Sequence, residues 1–66
     1  MNLAGYRKAK SLTQKDVAAY LGVTRSAVSK WESGKFFPRA ETLARLAKLL
    51  GCKVDDLLFS ASSDRR

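Results

Sequence analysis

Residues 14–31 read QKDVAAYLGVTRSAVSKW, and two short helical registers interrupted by one glycine are legible in them. Val17 and Leu21 stand four residues apart, and Val28 and Trp31 three apart. Both spacings put side chains on one face of a helix. Between the pairs lies Leu21-Gly22-Val23-Thr24. Gly22 is free to take the left-handed backbone that ends a helix, and the Thr24 hydroxyl suits the cap of the next. Ala18 is small where the two helices have to approach closely. The pattern predicts a helix over 14–21, a tight turn, and a second helix over 25–33 that stops at Gly34.

Outward from this unit the chain stays helical in character. Leu3, Tyr6 and Lys10 recur at helical spacing, which predicts a first helix over 2–10 with Leu3 and Tyr6 inward. Thr13 is a favourable N-cap for the helix that follows, and Asp16 places a negative charge in its first turn. Pro38 turns Phe37 away from helical geometry, so 34–38 reads as a loop. Two adjacent aromatics cannot readily both point inward, so one of Phe36 and Phe37 is expected to be exposed. Ala40, Leu43, Leu46, Ala47 and Leu50 form an apolar stripe that predicts a helix over 39–50, ended by Gly51. A last short helix is expected over 54–59. Residues 1–60 thus read as one domain and 61–66 as a polar tail.

Composition narrows the function. Sixty-six residues hold one small domain, with 13 Lys plus Arg against 6 Asp plus Glu and a formal net charge of +7. Eight of the basic residues but only Asp16 and Glu32 among the acidic ones fall within 7–39. A basic excess laid over paired helices favours a polyanionic partner over a merely solvated surface. With one cysteine and no histidine, an internal disulfide and a zinc site are excluded. Cys52 reads as a buried structural thiol. Neither a catalytic constellation nor a cofactor site can be assembled, so the chain is not expected to be an enzyme. No apolar run is long enough to span a bilayer and no signal-peptide pattern opens the chain, which points to a cytoplasmic protein without a membrane partner.

Helix, glycine turn and helix with these small and apolar positions is the helix-turn-helix pattern. Arg7, Leu12-Thr13-Gln14, the 14–31 unit, Trp31-Glu32-Ser33-Gly34-Lys35, Pro38, Glu41-Thr42-Leu43, Leu46-Ala47 and Asp55-Asp56-Leu57-Leu58 together resemble the phage repressor/Cro-like (XRE-type) helix-turn-helix family. The resemblance covers about Leu3 to Leu58. It implies an all-α, compact five-helix lambda-repressor-like DNA-binding domain with its helix-turn-helix at the second and third helices. It also implies a sequence-specific transcriptional regulator of double-stranded DNA, typically a repressor that occupies a palindromic operator as a dimer. The chain departs from the family at Ser11, where glycine is common, and at Arg39, where a capping Ser or Asp is usual.

The same resemblance makes 25–33 the recognition helix, with Arg25, Ser26, Ser29 and Lys30 outward. Arg and Lys suit the O6 and N7 acceptors of guanine, Ser discriminates weakly, and Gln14 suits an adenine edge or a phosphate. Phosphate contacts are expected from Thr13 and the helix start beside it, and from Lys15, Ser33, Lys35 and Arg39. Arg7 and Glu32 are expected to pair and to fix the orientation of the recognition helix. Leu57, Leu58 and Phe59 form an apolar run that either closes the monomer core or makes a weak dimer contact stabilised on DNA. Two other readings use the same scaffold: an antitoxin or restriction–modification controller, and a protein-interaction module. Outward Gln14, Arg25 and Lys30 argue against the last.

Overall fold

The computed structural model describes the backbone of residues 1–59 and the side chains of residues 1–58. The tail expected at 61–66 lies outside them. Five helices follow in order: α1 (Leu3–Ala9), α2 (Gln14–Leu21), α3 (Arg25–Ser33), α4 (Ala40–Leu50) and α5 (Val54–Phe59). No strand occurs among the described residues. α2 packs on α3 and α4, α1 on α3, and α4 on α5. One core results, built from Leu3, Val17, Ala18, Leu21, Val28, Trp31, Leu43, Leu46, Ala47, Leu50 and Leu57.

Local chemistry sets the boundaries of α2 and α3. At the start of α2 the Thr13 hydroxyl accepts from Asp16 N–H at 2.9 Å, while the Asp16 carboxylate accepts from Thr13 N–H at 2.9 Å. This reciprocal pair satisfies two of the donors that a helix start leaves open. Gly22, at φ 72°, closes α2. There the left-handed backbone lets Val23 N–H return to the Ala18 carbonyl at 3.0 Å. Thr24 then caps α3 through Ala27 N–H at 3.1 Å. Arg45, on α4, ties this turn to the rest of the molecule by donating to the Tyr20 carbonyl at 3.1 Å and the Leu21 carbonyl at 3.5 Å.

Several expectations need amendment. α1 is one residue shorter at each end than the 2–10 expected, with Asn2 and Lys10 as its flanking caps. α4 begins at Ala40, and Arg39 precedes it as an N-cap without a side-chain bond. Ala40 itself is exposed, and the buried stripe of α4 starts at Leu43 and continues through Leu46, Ala47 and Leu50. Both Phe36 and Phe37 are exposed, and the buried member of their loop is Pro38. Cys52 is partly exposed, not buried. Burial still pushes its thiol up, the Asp56 charge adds to the rise, and Lys10 opposes it.

Of the two alternatives for the apolar run, Leu57 takes the monomer core and drops out of the expected dimer contact. It is fully buried in its own monomer, and its carbonyl accepts from Asn2 N–H at 3.0 Å, which joins the chain start to α5. It therefore has no surface to offer a second copy. Leu58 is partly buried against the core, and the Phe59 side chain lies outside the described residues.

Ser11 is the one non-glycine described at positive φ, at 59°. A Cβ in that region strains the backbone. Ser11→Gly is expected to stabilise the domain by about 0.5–1 kcal/mol and to raise Tm by about 4 °C in thermal unfolding. An unchanged or lower Tm would mean that Ser11 sits there without strain.

Candidate nucleic-acid interface

The exposed side of α3 is set by what the other side buries. Val28 and Trp31 enter the core, which leaves Arg25, Ser26, Ser29 and Lys30 exposed. The four expected base-facing residues of α3 thus share the solvent side of one helix.

Gln14 reaches the same neighbourhood through a shared carboxylate. Glu32, at the end of α3, accepts from Arg7 Nε at 2.6 Å, from Arg7 Nη2 at 3.3 Å and from Gln14 Nε2 at 2.9 Å. The expected Arg7–Glu32 pair is present, and each of its side chains is only 11% exposed. Arg7 Nη1 also donates to the Leu12 carbonyl at 2.8 Å. Three helices therefore meet at one carboxylate, and Arg7 ties the α1–α2 turn to them. Partial burial alone raises the Glu32 pKa; the hydrogen bonds from Arg7 and Gln14 and the charges of Arg7 and Lys8 together outweigh it, so the carboxyl is held below its ordinary value. Charge-assisted bonds of this kind are roughly twice as strong as neutral ones. Glu32 engages one amide hydrogen of Gln14, leaving the other and the carbonyl oxygen available to an adenine edge.

Two concavities flank this surface. One, of about 420 Å³, is lined by Arg7, Lys8, Ser11, Leu12, Thr13, Gln14, Lys15 and Arg25. It is rich in positive charge and opens at the start of α2. The other, of about 300 Å³, is lined by Thr24, Ser26, Ala27, Lys30, Trp31, Phe36 and Phe37. Arg25 borders the first, and Ser26 and Lys30 border the second. The sequence pointed to the basic side, and on the aromatic side it predicted one exposed phenylalanine without a role.

The expected phosphate contacts differ in how free they are. Lys15, Lys35 and Arg39 are exposed. Ser33 is exposed, though its hydroxyl donates to the Lys30 carbonyl at 2.9 Å. Thr13 is occupied by its reciprocal bonds with Asp16. The Thr13 N–H, and after it the Thr13 hydroxyl, hold the Asp16 carboxyl below its ordinary value by hydrogen bonding to it, so a negative charge already sits at the start of α2. The N–H groups of Gln14 and Lys15 open α2 without intrahelical acceptors, and Lys8, Lys15 and Arg25 line the concavity there.

A family model described as Helix-turn-helix matches residues 3–57 of the chain. The chain is 46% identical over 52 residues to the HTH-type transcriptional activator BcrR of Enterococcus faecalis, covering 79% of this chain and 26% of that protein. It is 38% identical over 54 residues to an uncharacterized HTH-type transcriptional regulator of Methanocaldococcus jannaschii, covering 82% of each. It is 36% identical over 62 residues to the cryptic phage CTXphi transcriptional repressor RstR of Vibrio cholerae, covering 94% of this chain and 55% of that protein. The chain thus spans about a quarter of the first relative's length and about half of the third's.

Proposed function

The chain belongs to the helix-turn-helix family, and on that footing we propose that it is a sequence-specific double-stranded DNA-binding transcriptional regulator that represses by occupying an operator. The observation that carries this reading is the exposed polar side of α3 set beside positive charge and buttressed by Glu32. Arg25 and Lys30 read guanine, and Gln14 reads adenine while Glu32 holds it in place. Ser26 and Ser29 add weak discrimination. Lys15, Lys35 and Arg39 grip phosphates, with Ser33 and the α2 start beside Thr13 as weaker contributors; these contacts supply affinity and register but no sequence information.

A single recognition helix reads only a few base pairs. We therefore assign the operator two half-sites roughly 34–36 Å apart, bound by a twofold pair of chains. The pair is weak in free solution and stabilised on DNA, with the Leu58–Phe59 region at the contact. No described helix is long and apolar enough to cross a membrane. Repression requires nothing beyond occupancy, since a bound domain excludes polymerase from an overlapping promoter. Activation is the second reading, because the word stands in the name of the Enterococcus faecalis relative. A reporter promoter carrying the bound site separates the two: output falls for repression and rises for activation.

Selection of bound sequences from random duplexes is the test. An inverted repeat is expected, and asymmetric or unrelated sequences would refute the paired mode. If each chain neutralises about four phosphates, log affinity falls against log salt with a slope of about −3.6 per chain. Affinity indifferent to salt between 50 and 200 mM, a range of roughly this kind being the usual one, would remove the electrostatic basis.

A further inference from the structure

The loop after α3 carries side chains that DNA reading by α3 alone leaves unused. Phe36 and Phe37 are 58% and 61% exposed. Leaving a large ring in water forgoes the gain of its burial, so two adjacent ones mark a surface that meets something. They wall the concavity whose other side is formed by Ser26, Ala27 and Lys30 of α3. Phe36 is joined to Lys30 twice. Its N–H donates to the Lys30 carbonyl at 3.4 Å, and Lys30 Nζ lies 5.2 Å from the centroid of its ring. An apolar ring is thereby held beside the ammonium assigned to guanine, in continuity with the recognition helix. The surrounding charge of Lys30, Lys35 and Arg39 suits a polyanion better than an apolar protein groove.

We propose that Phe36 is a specificity-determining residue that takes the 5-methyl group of a thymine neighbouring the base pair read by Lys30, with Ala27 across the concavity. The thymine methyl is the one apolar feature on the major-groove edge of the bases, and Phe and Ala are among the side chains suited to it. The ring makes no hydrogen bond there, so it discriminates by that methyl alone. The cation–π contact keeps Lys30 and the ring together, which couples the reading of two adjacent base pairs. This assignment rests on the DNA-binding reading above.

The test uses the selected operator, remade with each thymine in turn replaced by deoxyuridine. Uracil keeps every hydrogen-bonding group and loses only the methyl. At one position the intact protein is expected to lose about fourfold in affinity for each half-site substituted, the effect of one buried methyl. Phe36→Ser is expected to bind the thymine duplex more weakly by that same factor and to stop distinguishing thymine from uracil at that position. Phe37→Ser keeps the distinction. Circular dichroism melting of both variants verifies that each is folded at the binding temperature. A selected half-site without thymine, no position at which uracil matters, sensitivity that persists in Phe36→Ser, or sensitivity abolished by Phe37→Ser each overturns the assignment while leaving DNA binding intact. An intact protein that binds no duplex overturns both, and is told apart by the failure of the unmodified operator.

Discussion

Glu32→Ala is expected to collapse discrimination between operator and random DNA by tenfold or more, while lowering Tm by only about 10 °C. The stability loss follows from removing one partner of a partly buried, hydrogen-bonded pair, worth roughly 1–2 kcal/mol at this degree of exposure. The larger effect falls on binding, because the lost carboxylate holds Arg7, Gln14 and the end of α3 together. Removing a negative charge beside DNA also leaves random-sequence affinity undiminished, so the ratio of specific to non-specific affinity is the sensitive readout. A variant with unchanged discrimination and a reduced Tm would restrict Glu32 to holding the fold. The pH dependence has a definite sign. The folded carboxyl titrates below its ordinary value of 4.5, so between the two values the unfolded chain binds more protons. The stabilisation is present above pH 4.5 and is lost as pH falls through the lower, folded value. Glu32→Gln is expected to flatten that acid limb.

Leu46→Ala is expected to leave the chain largely unfolded at room temperature. Leu46 is fully buried, on the helix that packs against both α2 and α5. Leucine-to-alanine changes in such places destabilise by about 2–5 kcal/mol. A core of this size supplies only about 3–5 kcal/mol of net stability. The two figures overlap, so one truncation removes most of the margin. Trp31 is the chain's single tryptophan, and at 9% exposure its fluorescence reports the opening of the core directly. A cooperative melt within a few degrees of the intact protein would show that the site collapses around the missing atoms. Loss of operator binding should track the unfolded fraction, in contrast to Glu32→Ala.

The sequence made the helical frame legible where punctuation is local. Thr13, Gly22, Thr24, Gly34 and Gly51 act through bonds to residues a few positions away, so α2, α3 and the C-terminal end of α4 could be bounded from spacing alone. What escaped it depends on tertiary packing. Ala40 lies in register with the apolar stripe of α4, but register does not say where the core ends. Leu57 and Leu58 look alike in sequence, and only the fold decides that the first is buried. Arg45 reads as an ordinary surface cation, and its bonds to the Tyr20 and Leu21 carbonyls join positions too far apart in the chain for periodicity to reveal. At the interface, the outward residues of α3 followed from the inward ones, and the Arg7–Glu32 pair from the family resemblance. The part Gln14 takes in that pair, the prior claim of Asp16 on the α2 start, and the exposure of both phenylalanines did not.

Among the described residues, Arg25, Ser26 and Ser29 make no side-chain hydrogen bond to the rest of the chain, while Arg7, Gln14 and Glu32 carry the bonds that brace α3. On the DNA-binding reading proposed above, posture and vocabulary therefore reside in different side chains. On that reading, point changes at three exposed positions alter the preferred sequence while the bonds at Glu32 stay in place. The same separation makes those positions suited to a combinatorial library for retargeting a very small reader.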